Sequence, residues 1–413
     1  MRFRFISQQQ QFIRALSGGI GKTAVILPAA FVTEVGLGLL TLGMVFYMRE
    51  VFLLSPGLVG WIAATWQGCY VLGCLSMRPA FERLLPRYSM IFSVAGTGAA
   101  VTAILLSHTV TAIFIFYGLF GFCLSFFWPP LMSWLSLGIE GKQLGRAMTR
   151  LTFTGNLGNI ISPFMAGALS SLSPRYPLFG AAVLFVANGI LLVGAALSLP
   201  RIRSDKQRGR SRREEPDETD RSTSLRFPAW VGLFATYAVL GVVITVFPMY
   251  ARDDLGLSKS TIGALLLCRA LCTAAGYLFL GRISSWHFRP FPMTAGLALL
   301  AVLVFGISRA ATLPLLALSL ALIGPLISLG FSYSFFHGAS GASRRATRMA
   351  IHEALLASGL IAGSALGSQV YQHYSMTAVS VFCAALIGAV IAVQILLVRR
   401  WRMRLTGTST HRN

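Results

Sequence analysis

Charged residues are scarce. They make up 12% of the 413-residue chain, about half the roughly 25% usual in soluble domains, and that shortage excludes an ordinary water-soluble globule. Cysteines are absent from the loops: Cys69, Cys74, Cys123, Cys268, Cys272 and Cys383 all lie in apolar stretches, so a secreted disulfide scaffold is excluded and the six read as small packing residues. Cys268 and Cys272 sit one helical turn apart without a matching ligand pair, and no metal site is expected. His352 opens the stretch HEALL, but Leu356 stands where a zinc-protease helix needs its second histidine. The chain has no Walker-type phosphate loop, no paired catalytic carboxylates and no Ser/His/Asp arrangement, so neither an enzyme nor a cofactor is expected. The first residues, MRFRFISQQQQFIRALSGGIGK, lack a continuous apolar core with a small-residue cleavage pattern, and no removable signal peptide is read there.

Long apolar runs dominate what is present: 55% of residues are hydrophobic and mean hydropathy is +0.69. A window of about 19 residues finds twelve candidate helices near 24–46, 57–77, 88–107, 111–136, 146–170, 177–199, 228–250, 260–281, 291–308, 313–337, 347–371 and 376–398. Each is about long enough to cross a hydrocarbon core, and none alternates in the two-residue period of a lipid-facing strand. Lys and Arg fall unevenly between the gaps: 28 lie on the side of the N-terminus, and five (Arg49, Arg175, Arg252, Lys259, Arg309) on the other. The positive-inside rule then places both termini in the cytoplasm of a plasma (inner) membrane. It also accounts for the net charge of +22 with the lipid bilayer as partner and no nucleic acid. The expected organisation is a cytoplasmic segment 1–23, a six-helix bundle 24–199, a charged linker 200–227, a second bundle 228–398 and a basic tail 399–413.

The two halves align without gaps at a shift of 203 residues. Tyr47, Arg49, Leu54, Ser55 and Gly60 recur as Tyr250, Arg252, Leu257, Ser258 and Gly263, and Glu50 is matched by Asp253. The same shift carries Gly73 and Leu75 onto Gly276 and Leu278, Gly121 and Gly138 onto Gly324 and Gly341, and Ala147 onto Ala350. Each half thus holds six spans running the same way through the bilayer, the parallel repeat of a carrier made from two equivalent bundles.

On these features the chain resembles the major facilitator superfamily over nearly its whole length. The resemblance implies an all-α integral membrane protein with twelve transmembrane helices in two pseudo-symmetric six-helix bundles. After the second span the family often carries Gly-x-x-x-Asp-Arg-x-Gly-Arg-Arg; here Gly73 and Arg78 fit, while Met77 replaces the Asp and Ala80 the Gly. Gly155, Gly158, Pro163 and Gly167 in the fifth span look like the antiporter-type Gly/Pro motif, with Ser162 in place of the Gly before Pro, which implies export. The fourth span reads FIFYGLFGF around Gly118 and Gly121, without the arginine of the proton-antiporter pattern, and this weakens proton coupling.

Of thirteen acidic residues only Glu34 and Glu353 fall inside spans. A charge near the bilayer centre costs at least about 2.5–3.5 kcal/mol and normally faces protein or a wet cavity. Glu34 reads either as a proton-exchanging carboxyl or as a fixed ion pair or hydrogen-bonded acid joining helices. Arg269, with Cys272, Thr273 and Gly276 on its helical neighbourhood, reads either as a grip for an anionic solute or as the partner of Glu34 in a static bridge. The repeat places Trp66 opposite Arg269 and Tyr237 opposite Glu34, so each half supplies one charged and one aromatic residue to a central pocket. Arg150 and Glu353 also correspond and read as an inner gate or as ordinary helix-end charges. Thr149, Thr152, Asn156 and Asn159 form a polar stripe ahead of Pro163, lining a cavity or binding neighbouring helices. Pro129 and Pro130, between Trp128 and Trp134, favour a bend useful to a gating helix. Trp66, Gln67, Tyr70, Tyr333 and His337 are further pocket candidates, Arg78 a gate candidate, and Gly359, Gly363 and Gly367 a close-packing seam.

The expected function is a secondary carrier exposing one midplane site alternately to each side, exporting a small organic solute with protons as a possible coupling partner. An organic-anion uptake carrier and a transport-incompetent sensor or assembly partner are the alternatives.

Overall fold

A computed structural model describes residues 21–77, 85–136, 141–198, 223–310, 312–340 and 345–407. The described residues contain helices and no strand, as lipid demands of a chain that must satisfy its backbone polar groups within each segment. In chain order the spans are α1 (Gly21–Glu50), α2 (Pro56–Ser76), α3 (Pro86–Leu106), α4 (Val110–Leu124, continued as Trp128–Ser136), α5 (Gly141–Leu172) and α6 (Tyr176–Ser198). The second set is α7 (Arg226–Gly241, a π-helical segment Val242–Val246, then Phe247–Asp253), α8 (Lys259–Arg282), α9 (Pro290–Arg309), α10 (Leu313–Ala339), α11 (Arg345–His373) and α12 (Met376–Gly407). Among the described residues eleven are long and apolar enough to cross a membrane; α5 is not among them, and its apolar stretch is interrupted by Asn156 and Asn159.

Most helix ends fall within a few residues of those expected. Helix α5 begins earlier, at Gly141, and α12 continues past the apolar run to Gly407. The fourth span breaks at a turn over Ser125–Phe127, and Pro129 and Pro130 fall in the first turn of its continuation, where no backbone donor is needed. Pro163 sits inside α5 without interrupting it.

The chain forms two compact units. One gathers segments of Met1–Gly43, Cys69–Ala166 and Arg175–Arg213; the other adds Met44–Gly68 and Gly167–Pro174 to Glu214–Asn413. In the first unit α3 packs against α4 and α6, and the Asn188 amide on α6 donates to Ala29 O at 3.1 Å and Thr33 Oγ1 at 2.8 Å on α1. In the second, α8 lies on α10, and α7 lies against α10, α11 and α12. Helices α7 and α11 run parallel at backbone contact: a Cβ on Gly363 would collide with Ala238 O, and one on Gly241 would lie 2.6 Å from Leu360 O. Beside that seam the Ser364 hydroxyl meets Thr245 Oγ1 at 3.0 Å, within the π-helical segment.

The 203-residue register survives as geometry within the second unit. Leu54 N–H donates to Met48 O at 3.1 Å after α1, and Leu257 N–H to Ala251 O at 2.9 Å after α7. Arg49 Nη1 donates to Leu54 O at 2.6 Å, and Arg252 Nη1 to Leu257 O at 3.3 Å. Both turns need a left-handed residue: Gly256 at φ 64° in one, Leu53 at φ 52° in the other. A side chain there costs about 1–2 kcal/mol, partly offset by the unfolded-state entropy that glycine adds. Leu53 is 81% exposed, so Leu53→Gly is expected to stabilise the protein by roughly 1 kcal/mol, read as a raised unfolding midpoint in detergent; a lowered midpoint would show that Leu53 makes compensating contacts.

Candidate functional site

In the first unit, α5 rides close on α1. A Cβ on Gly158 would lie 2.8 Å from Glu34 Cβ and 3.0 Å from Phe31 O, and one on Gly155 would lie 3.6 Å from Glu34 Cγ. That approach lets the Asn159 amide hydrogen-bond the Glu34 carboxylate. Glu34 lies within the 28-residue span Thr23–Glu50 and is half-buried. Asn156 is half-buried beside it on α5, and the side chains of Thr149 and Thr152 lie outside the described residues.

In the second unit a four-residue group forms from three helices. The hydroxyls of Tyr237 on α7 and Tyr277 on α8 are hydrogen-bonded to each other, and the Arg269 guanidinium lies within electrostatic reach of both. Glu353 on α11 lies within electrostatic reach of Tyr237. Helix packing holds this group in place. A Cβ on Gly359 of α11 would come within 3.0 Å of Tyr237 Cβ, and one on Gly324 of α10 within 2.8 Å of Thr273 N, one turn beyond Arg269. The Tyr277 ring meets Phe331 edge-on at 5.6 Å. Arg269 and Tyr277 are half-buried and Glu353 is exposed.

Sequence reasoning missed Tyr277. Its signal is a tyrosine well inside an apolar span, two turns beyond Arg269 on the same helix. Glu353, expected as a gate charge, stands beside Tyr237. Tyr333 does not join the group: it is 1% exposed, packed with Trp286 and Met293, and its hydroxyl donates to Trp286 O at 2.9 Å and Arg289 O at 2.8 Å. Its ring fills the core and its one donor is committed to the loop after α8. Gln67 is likewise buried, while Trp66 is half-buried. Among the remaining gate candidates Arg150 is exposed, Pro130 is buried, Pro129 and Pro163 are half-buried, and Arg78 lies outside the described residues.

Residues that the sequence offered as orientation charges (Arg49, Arg252, Lys259) or as repeat matches (Glu50, Asp253) build a latch where α1 and α7 end. Arg49 Nη2 pairs with Asp253 Oδ2 at 2.5 Å, and Arg252 Nε faces Glu50 Oε1 at 3.9 Å. The two pairs exchange repeat-equivalent residues. Lys259 Nζ pairs with Glu50 Oε2 at 2.5 Å and donates to Ser170 O at 2.9 Å near the end of α5. A cavity of about 270 Å³ is lined by Arg49, Glu50, Arg252 and Asp253 together with Phe46 and Met249. Gly57 N–H donates to Gln372 Oε1 at 2.8 Å, and the Ser171 and Ser260 hydroxyls meet at 2.9 Å.

The sequence profile of the Major Facilitator Superfamily matches residues 26–231 and 229–410. The chain belongs to that superfamily. A relative from Bacillus subtilis (strain 168), named as an uncharacterized MFS-type transporter, YceJ, is 22% identical over 267 residues, 63% of this chain and 66% of its own length. The chain thus spans just under two thirds of that relative. The fold is similar to that of a POT family transporter crystallised with a thioalcohol-conjugated peptide, with a TM-score of 0.73 at 10% identity over 92% of this chain and 96% of the other. It is also similar to the nucleoside transporter NupG, with a TM-score of 0.70 at 14% identity over 91% and 99% of the two chains. At such identities the likeness concerns the fold alone. As a superfamily member the protein is a multi-pass membrane protein.

Proposed function

We propose that the protein carries a small organic solute bearing an acidic group across the plasma membrane by alternating access, with both termini in the cytoplasm, and exports it in exchange for protons. The observation that carries this reading is Arg269. Its electrostatic neighbours are two tyrosine hydroxyls, and among the described residues of its unit no carboxylate lies in salt-bridge range. A guanidinium well inside a span, reachable and without a carboxylate of its own unit, is arranged to take one from a ligand. Glu34 supports coupling: the partner that its own unit provides is the Asn159 amide, which leaves the carboxyl able to gain and lose a proton. The antiporter-like Gly/Pro pattern supports export, since Gly158 is what lets α5 reach Glu34. Uptake of an organic anion is the second reading, favoured by the same Arg269.

Solute counterflow in proteoliposomes tests the proposal. Arg269→Ala is expected to raise KM for acidic solutes by roughly ten- to a hundredfold, the worth of hydrogen bonds to a charged group, while neutral solutes change little. Equal losses for both would make Arg269 a structural residue. Binding without exchange would favour a sensor or assembly partner, and the sign of accumulation under an imposed proton gradient separates export from uptake.

A further inference from the structure

We propose that the solute is a zwitterion, held lengthwise with its acidic group on Arg269, its basic group at Glu353 and Tyr237 between them. This rests on the reading of Arg269 as the anion grip and adds a second pole to the same site. Arg269 and Glu353 come from different helices, α8 and α11, yet both act on the hydroxyl of Tyr237. They form no ion pair with each other. Neither charge is an electrostatic neighbour of the other, so the two poles are separate. Backbone-close packing keeps the helices of the group in place: Gly359 sets α11 against Tyr237, and Gly324 sets α10 against the turn after Arg269.

Helix geometry sets the direction of the site. Helices α7 and α11 are parallel, and Gly359 stands level with Tyr237. Glu353 lies six residues earlier on α11, about 9 Å along the axis at 1.5 Å per residue. Tyrosine side chains on helices lean toward the N-terminus, so the Tyr237 hydroxyl reaches the way Glu353 lies. Both charges remain accessible, with Arg269 half-buried and Glu353 exposed. The other ionisable group nearby on α11, His352, is turned away; it is buried, and its Nδ1 lies 2.7 Å from Ser334 Oγ on α10.

The chemistry selects one ligand class. A purely anionic solute on Arg269 brings like charge toward Glu353, and a purely cationic one at Glu353 leaves the guanidinium unmatched. A molecule with both groups answers both poles and adds no net charge to the bilayer interior. Of the two phenol protons, one serves the bond between Tyr237 and Tyr277, and the other is available to the ligand carboxylate.

The test uses the purified full-length protein and three matched probe sets: α- and ω-amino acids with apolar chains, their N-acetyl derivatives and their methyl esters. At least one parent amino acid is expected to raise the unfolding midpoint, with its acetylated and esterified forms at least about tenfold weaker. Glu353→Gln is expected to abolish the preference over the N-acetyl form, and Arg269→Gln the preference over the ester. Should Glu353→Gln fail to elute as a monodisperse species, Glu353→Asp serves instead; its shorter reach is expected to move the preference toward longer amino acids, and an unmoved preference counts against the proposal. N-acetyl acids that bind as tightly as the parents overturn the zwitterion and leave the Arg269 reading standing. Failure of every parent overturns the proposal outright, and if neutral solutes alone bind, the Arg269 reading falls as well.

Discussion

Gly363→Val is expected to leave little folded protein. A Cβ at this position would fall onto the carbonyl oxygen of Ala238, part of a helix backbone that has no rotamer by which to retreat. Overpacking a core with flexible side chains costs about 1–3 kcal/mol, and displacing a backbone contact costs more. The seam offers no slack: Gly359 lies against Phe234 O one turn before, and a Cβ on Gly367 would lie 2.8 Å from Val242 one turn after. Lipid gives helices no hydrophobic reason to associate, so close packing of small residues carries the interface. Gly388→Val is the control, because nothing lies within 4 Å of the position its Cβ would take. Size-exclusion profiles and unfolding midpoints in detergent should collapse for the first and stay near wild type for the second. A normal midpoint for Gly363→Val would mean that α7 and α11 do not meet at backbone distance.

Glu34→Gln is expected to reduce gradient-driven accumulation to background while solute counterflow persists. Glutamine keeps the shape of the side chain and a carbonyl oxygen able to accept from the Asn159 amide, so the junction of α1 and α5 is preserved. What disappears is the exchangeable proton. A charged group at this depth costs about 2.5–3.5 kcal/mol, so the variant should also unfold at the same temperature as wild type or a higher one. Loss of counterflow together with a lowered midpoint would make Glu34 a structural fastener, and accumulation with an unchanged pH dependence would remove it from coupling.

The fold was legible because lipid permits few solutions: long apolar runs become helices, and basic gaps divide them. The duplication was legible from paired identities such as Arg49 with Arg252, and it reappears as two turns built alike. Some features left no trace in residue type. Nothing in VVITV announces the π-helical segment of α7, since apolar β-branched residues fit an α-helix just as well and the extra residue is accommodated through packing against α11. Glu34 and Asn159 were each visible as polar residues in apolar spans, but the bond between them depends on the depth at which Gly158 lets α5 approach, which periodicity does not encode. Tyr333 misled for the opposite reason: a tyrosine near a helix end serves a cavity or an anchor equally well, and only its two carbonyl partners decide. Lys259 was counted only as a topology charge and Glu50 only as a repeat match, because the sequence separates them by more than two hundred positions.

Arg49 and Arg252 each use one guanidinium nitrogen on their own turn and another on the facing acid. Parting the facing acids therefore leaves both turns intact, and what is lost is a set of partly exposed pairs worth about 0–1 kcal/mol each, acting over a Debye length of about 8 Å in physiological salt. Concentrated salt on the side this end faces is expected to loosen it and a dilute medium to tighten it, so the ionic atmosphere tunes this contact with no residue changed.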